Sequence, residues 1–310
     1  MNFNIMDMVG NTPIYKLYDG KNNNTILVKM EGFEPSGSIK DRVFKFALRT
    51  YEESGEIHKG MTLNIASSGN AAISLATLAI PNGYKVNAYM PSSTSQERRD
   101  ILNLLGVKCV YVENGMQNAI NKAKEDAAND ANAYYVDQFF DDRLYLAHVD
   151  TVKEVVEQLK NQFNVTKLDA FVSGVGTGVT LKGFSTELRK VYPDIKILAF
   201  EPNAARALSK KEFKPHSFEG VGPNFETNNF ATTKVDEIMA LDKEPVFDFV
   251  LDLIAKYGLH VGITSACNIY AAFNCGLKDS TILCVSYDNY DKYIKVLTDY
   301  KKSKEGVNEQ

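Results

Sequence analysis

Residues 34–42, which read EPSGSIKDR, place Lys40 at the start of a predicted helix. Ser38 and Asp41 are three positions apart and fit a capping box, which predicts that the helix begins at Ile39. Apolar residues follow the lysine four and seven positions later, so its amine lies along an apolar stripe. Desolvation favours the neutral lysine amine, which is the nucleophile that forms Schiff bases with carbonyl compounds. On this segment alone, a lysine that packs its stem and keeps its charge in water is the favoured interpretation.

A glycine-rich segment, residues 173–180 (SGVGTGVT), lies between a predicted strand and a predicted helix. Its glycines and threonines allow backbone N–H groups and hydroxyls to surround a phosphate at the positive end of the helix dipole. The spacing excludes a dinucleotide fingerprint, because the third glycine of G-x-G-x-x-G would fall at Val179. It also excludes a P-loop, because Phe184 stands where the lysine is required. We therefore predict a smaller phosphorylated cofactor.

A second polar turn, residues 66–72 (ASSGNAA), follows a predicted strand and opens a predicted helix. Hydroxyls, a glycine and an amide beside free helix N–H groups can hold a carboxylate. By itself this motif is weak, because Ser, Gly and Asn are common in any turn. A reactive lysine, a phosphate site and a carboxylate site are together the set that handles an amino acid on pyridoxal phosphate.

Length and composition narrow the other classes of function. A chain of 310 residues is long enough for two packed domains. The net charge of −4 argues against a nucleic-acid partner, and no apolar run approaches a membrane span, so we expect a cytoplasmic protein. The four cysteines contain no C-x-x-C pair and the four histidines no H-E-x-x-H spacing. We expect buried free thiols and no metal site.

Strand-like and helix-like runs alternate from about residue 25 to 201, which predicts an α/β fold with parallel sheet covered on both faces. The predicted strands are 25–31, 61–66, 84–90, 108–112, 133–136, 169–173, 195–201 and 280–286. The predicted helices are 38–54, 71–80, 95–105, 116–130, 143–162, 179–190, 245–257 and 264–274. Residues 203–240 lose periodicity and are predicted to form an active-site flap, and residues 301–310 are predicted to fray.

Short motifs spaced along nearly the whole chain carry a resemblance to a known family. In chain order they are GNTP (10–13), PSGSIKDR (35–42), SGN (68–70), QF (138–139), the glycine-rich segment, EP (201–202), GVG (220–222), GITS (262–265) and Asp288. The sequence resembles the cysteine synthase branch of the fold-type II pyridoxal-phosphate enzymes, which includes O-acetylserine sulfhydrylases and cystathionine β-synthases. The resemblance implies two domains, each an open, twisted, mostly parallel sheet covered by helices, as in the tryptophan synthase β subunit. It further implies a smaller, mobile domain over 35–142, a larger phosphate-binding domain over 1–34 and 143–310, and a homodimer.

The resemblance also implies a role for each motif. Lys40 carries pyridoxal phosphate as a Schiff base and moves the Cα proton, and Asn70 holds the ring O3′. The other implied contacts are Gly176, Thr177, Gly178, Val179 and Thr180 to the phosphate, Thr264 or else Ser265 to the pyridine nitrogen, and Ser67, Ser68 and Gln138 to the substrate carboxylate. A neutral hydroxyl leaves the pyridine nitrogen unprotonated, which favours β-elimination and β-replacement over transamination.

The sequence departs from the family pattern at positions that concern the substrate. Ala71 stands where a hydroxyl is usual, and Val179 replaces a glycine of the phosphate segment. In the flap, residues 223–224 (PN) replace small residues, and Glu226 follows, which we consider as a possible activator of water. The cofactor residues are retained, whereas the substrate and the second nucleophile are left open.

Several hypotheses follow. The leading one is β-replacement on a serine or cysteine derivative through an α-aminoacrylate, with activated serine and sulfide giving cysteine. The alternative within this class is a cysteine lyase that releases hydrogen sulfide. From a different class, the chain is a catalytically silent pyridoxal-phosphate-fold binding protein. A nicotinamide oxidoreductase would fit the α/β alternation, but the missing dinucleotide fingerprint counts against it.

Overall fold

The computed structural model describes residues 4–214, 216, 218, 220–222, 225 and 227–306. The described chain separates into two compact units. The smaller unit contains the residues up to Gly10 together with Glu34–Ala147, and the larger contains Asn11–Phe33 and the residues from His148 onward.

Strands and helices alternate through most of both units. The strands are β1 (Ile14–Asp19), β2 (Asn24–Met30), β3 (Thr62–Ala66), β4 (Lys85–Pro91), β5 (Lys108–Val112), β6 (Ala133–Tyr135), β7 (Ala170–Gly174), β8 (Lys196–Pro202), β9 (Glu237–Leu241) and β10 (Thr281–Ser286). The helices are α1 (Lys40–Glu53), α2 (Asn70–Ala79), α3 (Gln96–Leu104), α4 (Met116–Ala128), α5 (His148–Phe163), α6 (Val179–Val191), α7 (Asn228–Ala231), α8 (Lys243–Tyr257), α9 (Ile263–Asn274) and α10 (Ile294–Glu305).

Each unit contains one sheet. In the smaller unit the strand order is β5-β4-β3-β6, and all pairs are parallel. In the larger unit the order is β1-β2-β10-β7-β8-β9, where only the β1–β2 pair is antiparallel. The prediction of an α/β fold with mostly parallel sheets is confirmed, and β2, β7 and β10 are almost wholly buried, as expected for strands in the middle of a covered sheet.

Periodicity predicted all of the central strands and most helices, but it missed two edge strands and a short helix. β1 and β9 are the two edge strands of the larger sheet. Exposed residues interrupt the apolar residues of β1, whereas β9 has a short apolar run that follows a segment without periodicity. α7 and all but the last residue of β9 lie within residues 203–240, which were predicted to form an irregular flap. The prediction of a frayed end was wrong for residues 301–305, because α10 continues to Glu305.

The parallel strands bring the predicted site segments to the ends of neighbouring strands. In the smaller unit β3 pairs with β6, so the serine turn after β3 and Gln138 after β6 lie at the same edge. In the larger unit β7 pairs with β10, so the glycine-rich segment and Asp288 share an edge. Ligands of open α/β sheets bind at this carboxyl edge. Among the described residues, no helix has the length and apolar character that a bilayer span requires.

Candidate active site

Lys40 is the first residue of α1, and its side chain is half-buried. Phe44 and Ala47, one and two turns later, are fully buried, which confirms the apolar stripe. Within the described part of the chain, the amine makes no hydrogen bond or ion pair. Burial therefore acts alone on it and lowers its pKa from 10.5 to about 8.

The predicted capping box at the start of α1 is wrong. The helix begins at Lys40, and Ile39 is the residue that precedes its first turn, without a side-chain cap. The Asp41 carboxylate accepts from the backbone N–H of Ser36 at 2.6 Å and also from the Ser36 hydroxyl. The Ser38 hydroxyl is buried and has no partner among the described residues. The tight turn before the helix therefore uses the serine two positions earlier than the spacing rule predicted.

The predicted carboxylate contacts lie at the carboxyl edge of the smaller sheet. The Gln138 amide nitrogen donates to the backbone oxygen of Ala66 at 3.0 Å, which joins the ends of β6 and β3. The Ser67 hydroxyl oxygen accepts from the Gly69 backbone N–H at 3.2 Å. Gln138 and Ser67 are buried and Ser68 is half-buried. The structure thus brings these three residues to one edge of the sheet.

Asn70 is the first residue of α2, directly after Gly69. Its side chain is half-buried, and α2 packs against α1, the helix that carries Lys40. Ala71, where the family pattern has a hydroxyl, and its neighbour Ala72 are buried in the first turn of the same helix. The departure at Ala71 therefore removes one hydroxyl from the start of α2 without exposing apolar surface.

The glycine-rich segment forms the turn between β7 and α6 in the larger unit. Gly178 precedes α6 with a φ of 80°, a left-handed conformation that suits glycine. A Cβ on Gly176 would lie 2.3 Å from the Gly220 backbone oxygen, so only glycine fits there. Val179 and Thr180 are the first two helical residues, whose N–H groups have no acceptor within the helix. With Thr177, the segment has the close backbone approach and free donors that a phosphate group needs, so it fits a phosphorylated cofactor.

The start of the glycine-rich segment is held by two residues that the sequence interpretation missed. The Gly174 N–H donates to the Asn268 side-chain oxygen at 2.8 Å, and the Tyr287 hydroxyl donates to the Gly174 oxygen at 3.0 Å. Tyr287 also lies 2.6 Å from the Ser173 hydroxyl, and burial raises its pKa to about 12, so its hydroxyl stays protonated. The sequence carried a signal for Asn268, because this amide lies four positions after Thr264 and so on the same face of the predicted helix.

Thr264 and Ser265 are adjacent at the start of α9, but their surroundings differ. The Ser265 hydroxyl donates to the Asp288 backbone oxygen at 3.0 Å and lies 3.3 Å from its carboxylate. Thr264 is buried, and its hydroxyl makes no hydrogen bond within the described ranges. Ser265 is thus engaged in the protein's own structure, which favours Thr264 as the ligand of a pyridine nitrogen.

The remaining predictions concern cysteines, metals and the flap. The four cysteines are free; Cys267 and Cys284 are buried, whereas Cys109 and Cys275 are half-buried. Within the residues that the structure describes, no group of three or more His, Cys, Asp or Glu could hold a metal ion. Residues 223–224 and Glu226 lie outside the described residues, so the hypothesis about Glu226 stays a prediction.

Comparisons with known proteins agree with this geometry. A model of the pyridoxal-phosphate dependent enzyme family matches residues 5–288. The cysteine synthase of Staphylococcus aureus is 34% identical over 300 residues, which cover 94% of this chain and 95% of that protein. The O-acetylserine dependent cystathionine beta-synthase from Helicobacter pylori matches with a TM-score of 0.87 and 28% identity, over 95% of this chain and 98% of that one. A hydrogen sulfide-producing enzyme from Fusobacterium nucleatum matches with a TM-score of 0.87 and 32% identity, over 94% and 90%. The chain therefore belongs to the pyridoxal-phosphate dependent enzyme family, and pyridoxal phosphate is its cofactor.

Proposed function

We propose that the chain catalyses β-replacement on a serine or cysteine derivative, with an activated serine and sulfide giving cysteine as the leading reaction. The observation that carries the proposal is the Lys40 amine, which has no ionic partner among the described residues and whose pKa burial lowers to about 8. The cysteine synthase of Staphylococcus aureus, similar over nearly the whole chain, supports this choice of reaction.

Lys40 is proposed to bind the cofactor and to move the substrate's Cα proton. Pyridoxal phosphate, when bound, supplies an aldehyde for the lysine and a ring that withdraws electrons from the substrate's Cα. With a pKa of about 8, about a tenth of the Nζ atoms are neutral at pH 7, so this nitrogen can act as a nucleophile and as a base near neutrality. An ordinary exposed lysine would be almost entirely protonated at the same pH.

The edge of the smaller sheet is proposed to bind the substrate carboxylate. Gln138 uses one amide N–H on the Ala66 oxygen, and its second N–H remains for a ligand. The Ser67 oxygen accepts from Gly69, which leaves its own O–H free to donate. These donors and Ser68 suit an anion, and hydrogen bonds to a charged group contribute about 1.5–3 kcal/mol each.

The larger unit is proposed to bind the rest of the cofactor. The segment from Gly176 to Thr180 would hold the phosphate through backbone N–H groups and threonine hydroxyls. The Thr264 hydroxyl would meet the pyridine nitrogen as a neutral group. Asn70 would hold the ring O3′, as the family resemblance implies.

A cysteine lyase that releases sulfide is the second candidate. It is favoured by the similarity to the hydrogen sulfide-producing enzyme of Fusobacterium nucleatum and by Ala71, which removes a hydroxyl from the proposed carboxylate site. The two reactions differ in what leaves and what enters, and both require the same lysine.

One experiment separates the two candidates. Purified protein is supplied either with O-acetylserine and sulfide or with cysteine alone, and cysteine and sulfide are quantified. Formation of cysteine in the first mixture supports the synthase, and release of sulfide in the second supports the lyase. Lys40→Ala is the control and should abolish either reaction. If the wild-type protein does neither, the proposed function is wrong.

A homodimer and a cytoplasmic location complete the proposal. The dimer follows from the family resemblance, and free cysteines are typical of a reducing compartment. Light scattering on the purified holoenzyme tests the dimer, and the mass of a single chain would contradict it.

A further inference from the structure

We infer that Thr227 and Asn229 are additional ligands of the cofactor's phosphate group, beside the glycine-rich segment. This inference rests on the proposed function, in which that segment binds the phosphate. It adds two side chains from the region of residues 203–240, which sequence analysis treated as a flap.

Both side chains are buried and carry polar atoms without partners. Thr227 is 1% exposed and Asn229 is 0% exposed. The Thr227 hydroxyl oxygen and both the oxygen and the nitrogen of the Asn229 side chain have no hydrogen-bond partner among the described residues. Buried polar atoms in proteins are nearly always hydrogen-bonded, so several without a partner in two neighbouring side chains indicate a ligand.

These side chains lie directly against Gly178. A Cβ on Gly178 would be 3.1 Å from the Thr227 hydroxyl oxygen and 3.0 Å from the Asn229 Cβ. Gly178 precedes the thirteen residues of α6, so the two side chains lie at the amino end of that helix. A helix amino end favours anions through its dipole and its free N–H groups.

Among the described residues, neither α7 nor the adjacent cavity gives the Thr227 hydroxyl a side-chain partner. Thr227 precedes α7, but its hydroxyl does not cap that helix. Beside it is a small cavity whose other side chains are Phe213, Phe225, Phe230, Ala207, Leu208 and Lys211. None of these side chains carries a hydrogen-bond acceptor. The cavity side chains therefore offer the hydroxyl no acceptor, and Gly178 lies close to it.

The chemistry of the two groups suits a phosphate monoester. The threonine hydroxyl and the asparagine NH₂ are donors, and phosphate oxygens are strong acceptors. Hydrogen bonds to a charged group are stronger than those to neutral groups. We therefore expect each residue to contribute to affinity for the phosphorylated cofactor and not to affinity for the same aldehyde without its phosphate.

The test compares pyridoxal phosphate with pyridoxal. The cofactor is removed from the full-length protein and each aldehyde is titrated back, with binding followed by absorbance. For Asn229→Ala we expect the dissociation constant of pyridoxal phosphate to rise about tenfold or more, and that of pyridoxal to change less than about twofold. Asn228→Ala is the matched control, because Asn228 is the exposed neighbour in the same helix and should leave both constants unchanged. An equal loss for both aldehydes, or no loss for either, would overturn the inference.

A second measurement separates ligand binding from a role in folding. Removing a buried polar group that lacks a partner should leave the melting temperature of the cofactor-free chain unchanged or raise it, while that of the holoenzyme falls. If Asn229→Ala lowers both equally, Asn229 is structural and the inference is wrong. Asn229→Asp keeps the shape of the side chain and adds a negative charge, so it should lower the affinity for pyridoxal phosphate more than Asn229→Ala does. A smaller loss of affinity than in Asn229→Ala would count against the inference. In ³¹P NMR of the holoenzyme, Thr227→Val should shift the cofactor signal, and an unchanged signal would exclude Thr227.

The same titrations distinguish a failure of this inference from a failure of the proposed function. If the wild-type protein binds pyridoxal as tightly as pyridoxal phosphate, the phosphate site itself is wrong. If wild type binds pyridoxal phosphate more tightly than pyridoxal, and the variants do so by the same factor, only the inference about Thr227 and Asn229 fails. Inorganic phosphate titrated into the wild-type holoenzyme tests for a separate anion site, and binding that Asn229→Ala abolishes would overturn the assignment to the cofactor.

Discussion

Replacing Lys40 with methionine should stabilise the cofactor-free chain at neutral pH. Burial, with no compensating anion among the described residues, lowers the pKa of the amine from 10.5 to about 8, which means that the folded chain disfavours the ammonium form. Methionine keeps the unbranched stem of the side chain and removes the charge. The substitution therefore removes the cost of keeping an ammonium group in that position.

The size and the pH dependence follow from linkage between ionisation and folding. Below pH 8 the lysine is protonated in both states, and the difference in pKa costs the folded state about 3 kcal/mol. Between pH 8 and 10.5 the unfolded chain holds more protons than the folded chain, so the stability of wild type rises with pH. At pH 10 the remaining cost is about 1 kcal/mol. Because Lys40 is only half-buried, these values are upper limits.

Urea unfolding of the cofactor-free wild type and Lys40→Met at pH 7 and pH 10 measures the effect. We expect the variant to be the more stable protein at pH 7, by up to about 3 kcal/mol, and the difference to shrink towards pH 10. Lys59→Met, at an exposed position of the same unit, controls for the general effect of replacing a lysine. A variant less stable than wild type at pH 7, or a difference that does not change with pH, would refute the reasoning about the Lys40 amine.

Three further substitutions test the remaining parts of the site. Gly176→Ala should weaken cofactor binding about tenfold or more, because its Cβ would lie 2.3 Å from the Gly220 oxygen. Unchanged affinity in a cofactor titration would contradict the proposal that this segment binds the phosphate. Ser265→Ala should lower the free energy of unfolding by about 1 kcal/mol or more and leave the cofactor's visible spectrum unchanged. Thr264→Val should alter the visible spectrum. The reverse result would exchange the roles of the two residues. Gln138→Glu places a carboxylate where the substrate carboxylate is proposed to bind, so KM for the amino acid should rise about tenfold while cofactor affinity stays constant, and a KM equal to that of wild type would remove Gln138 from the site.

The main outline of the fold could be predicted because it depends on local patterns. Buried parallel strands are continuous apolar runs and amphipathic helices repeat their apolar residues, so both are visible within a short window. β1 was missed because exposed residues interrupt its apolar residues, and β9 was missed, despite its short apolar run, because the residues before it lack periodicity. The chemistry could be predicted for a similar reason, since Lys40, the serine turn and the glycine-rich segment each follow a recognisable pattern.

Contacts that form only in the folded structure decided what the patterns could not. Ser36, rather than Ser38, binds Asp41, because the turn before α1 brings that serine to the carboxylate. Ser265 is engaged by Asp288, 23 residues away in the chain, which leaves Thr264 as the free hydroxyl. The sequence by itself determined the central strands, most helices and the candidate ligand turns, since these depend on near neighbours. Only the tertiary structure decided which polar atoms already have partners within the described protein, because hydrogen bonding of a buried group depends on residues that folding brings from elsewhere.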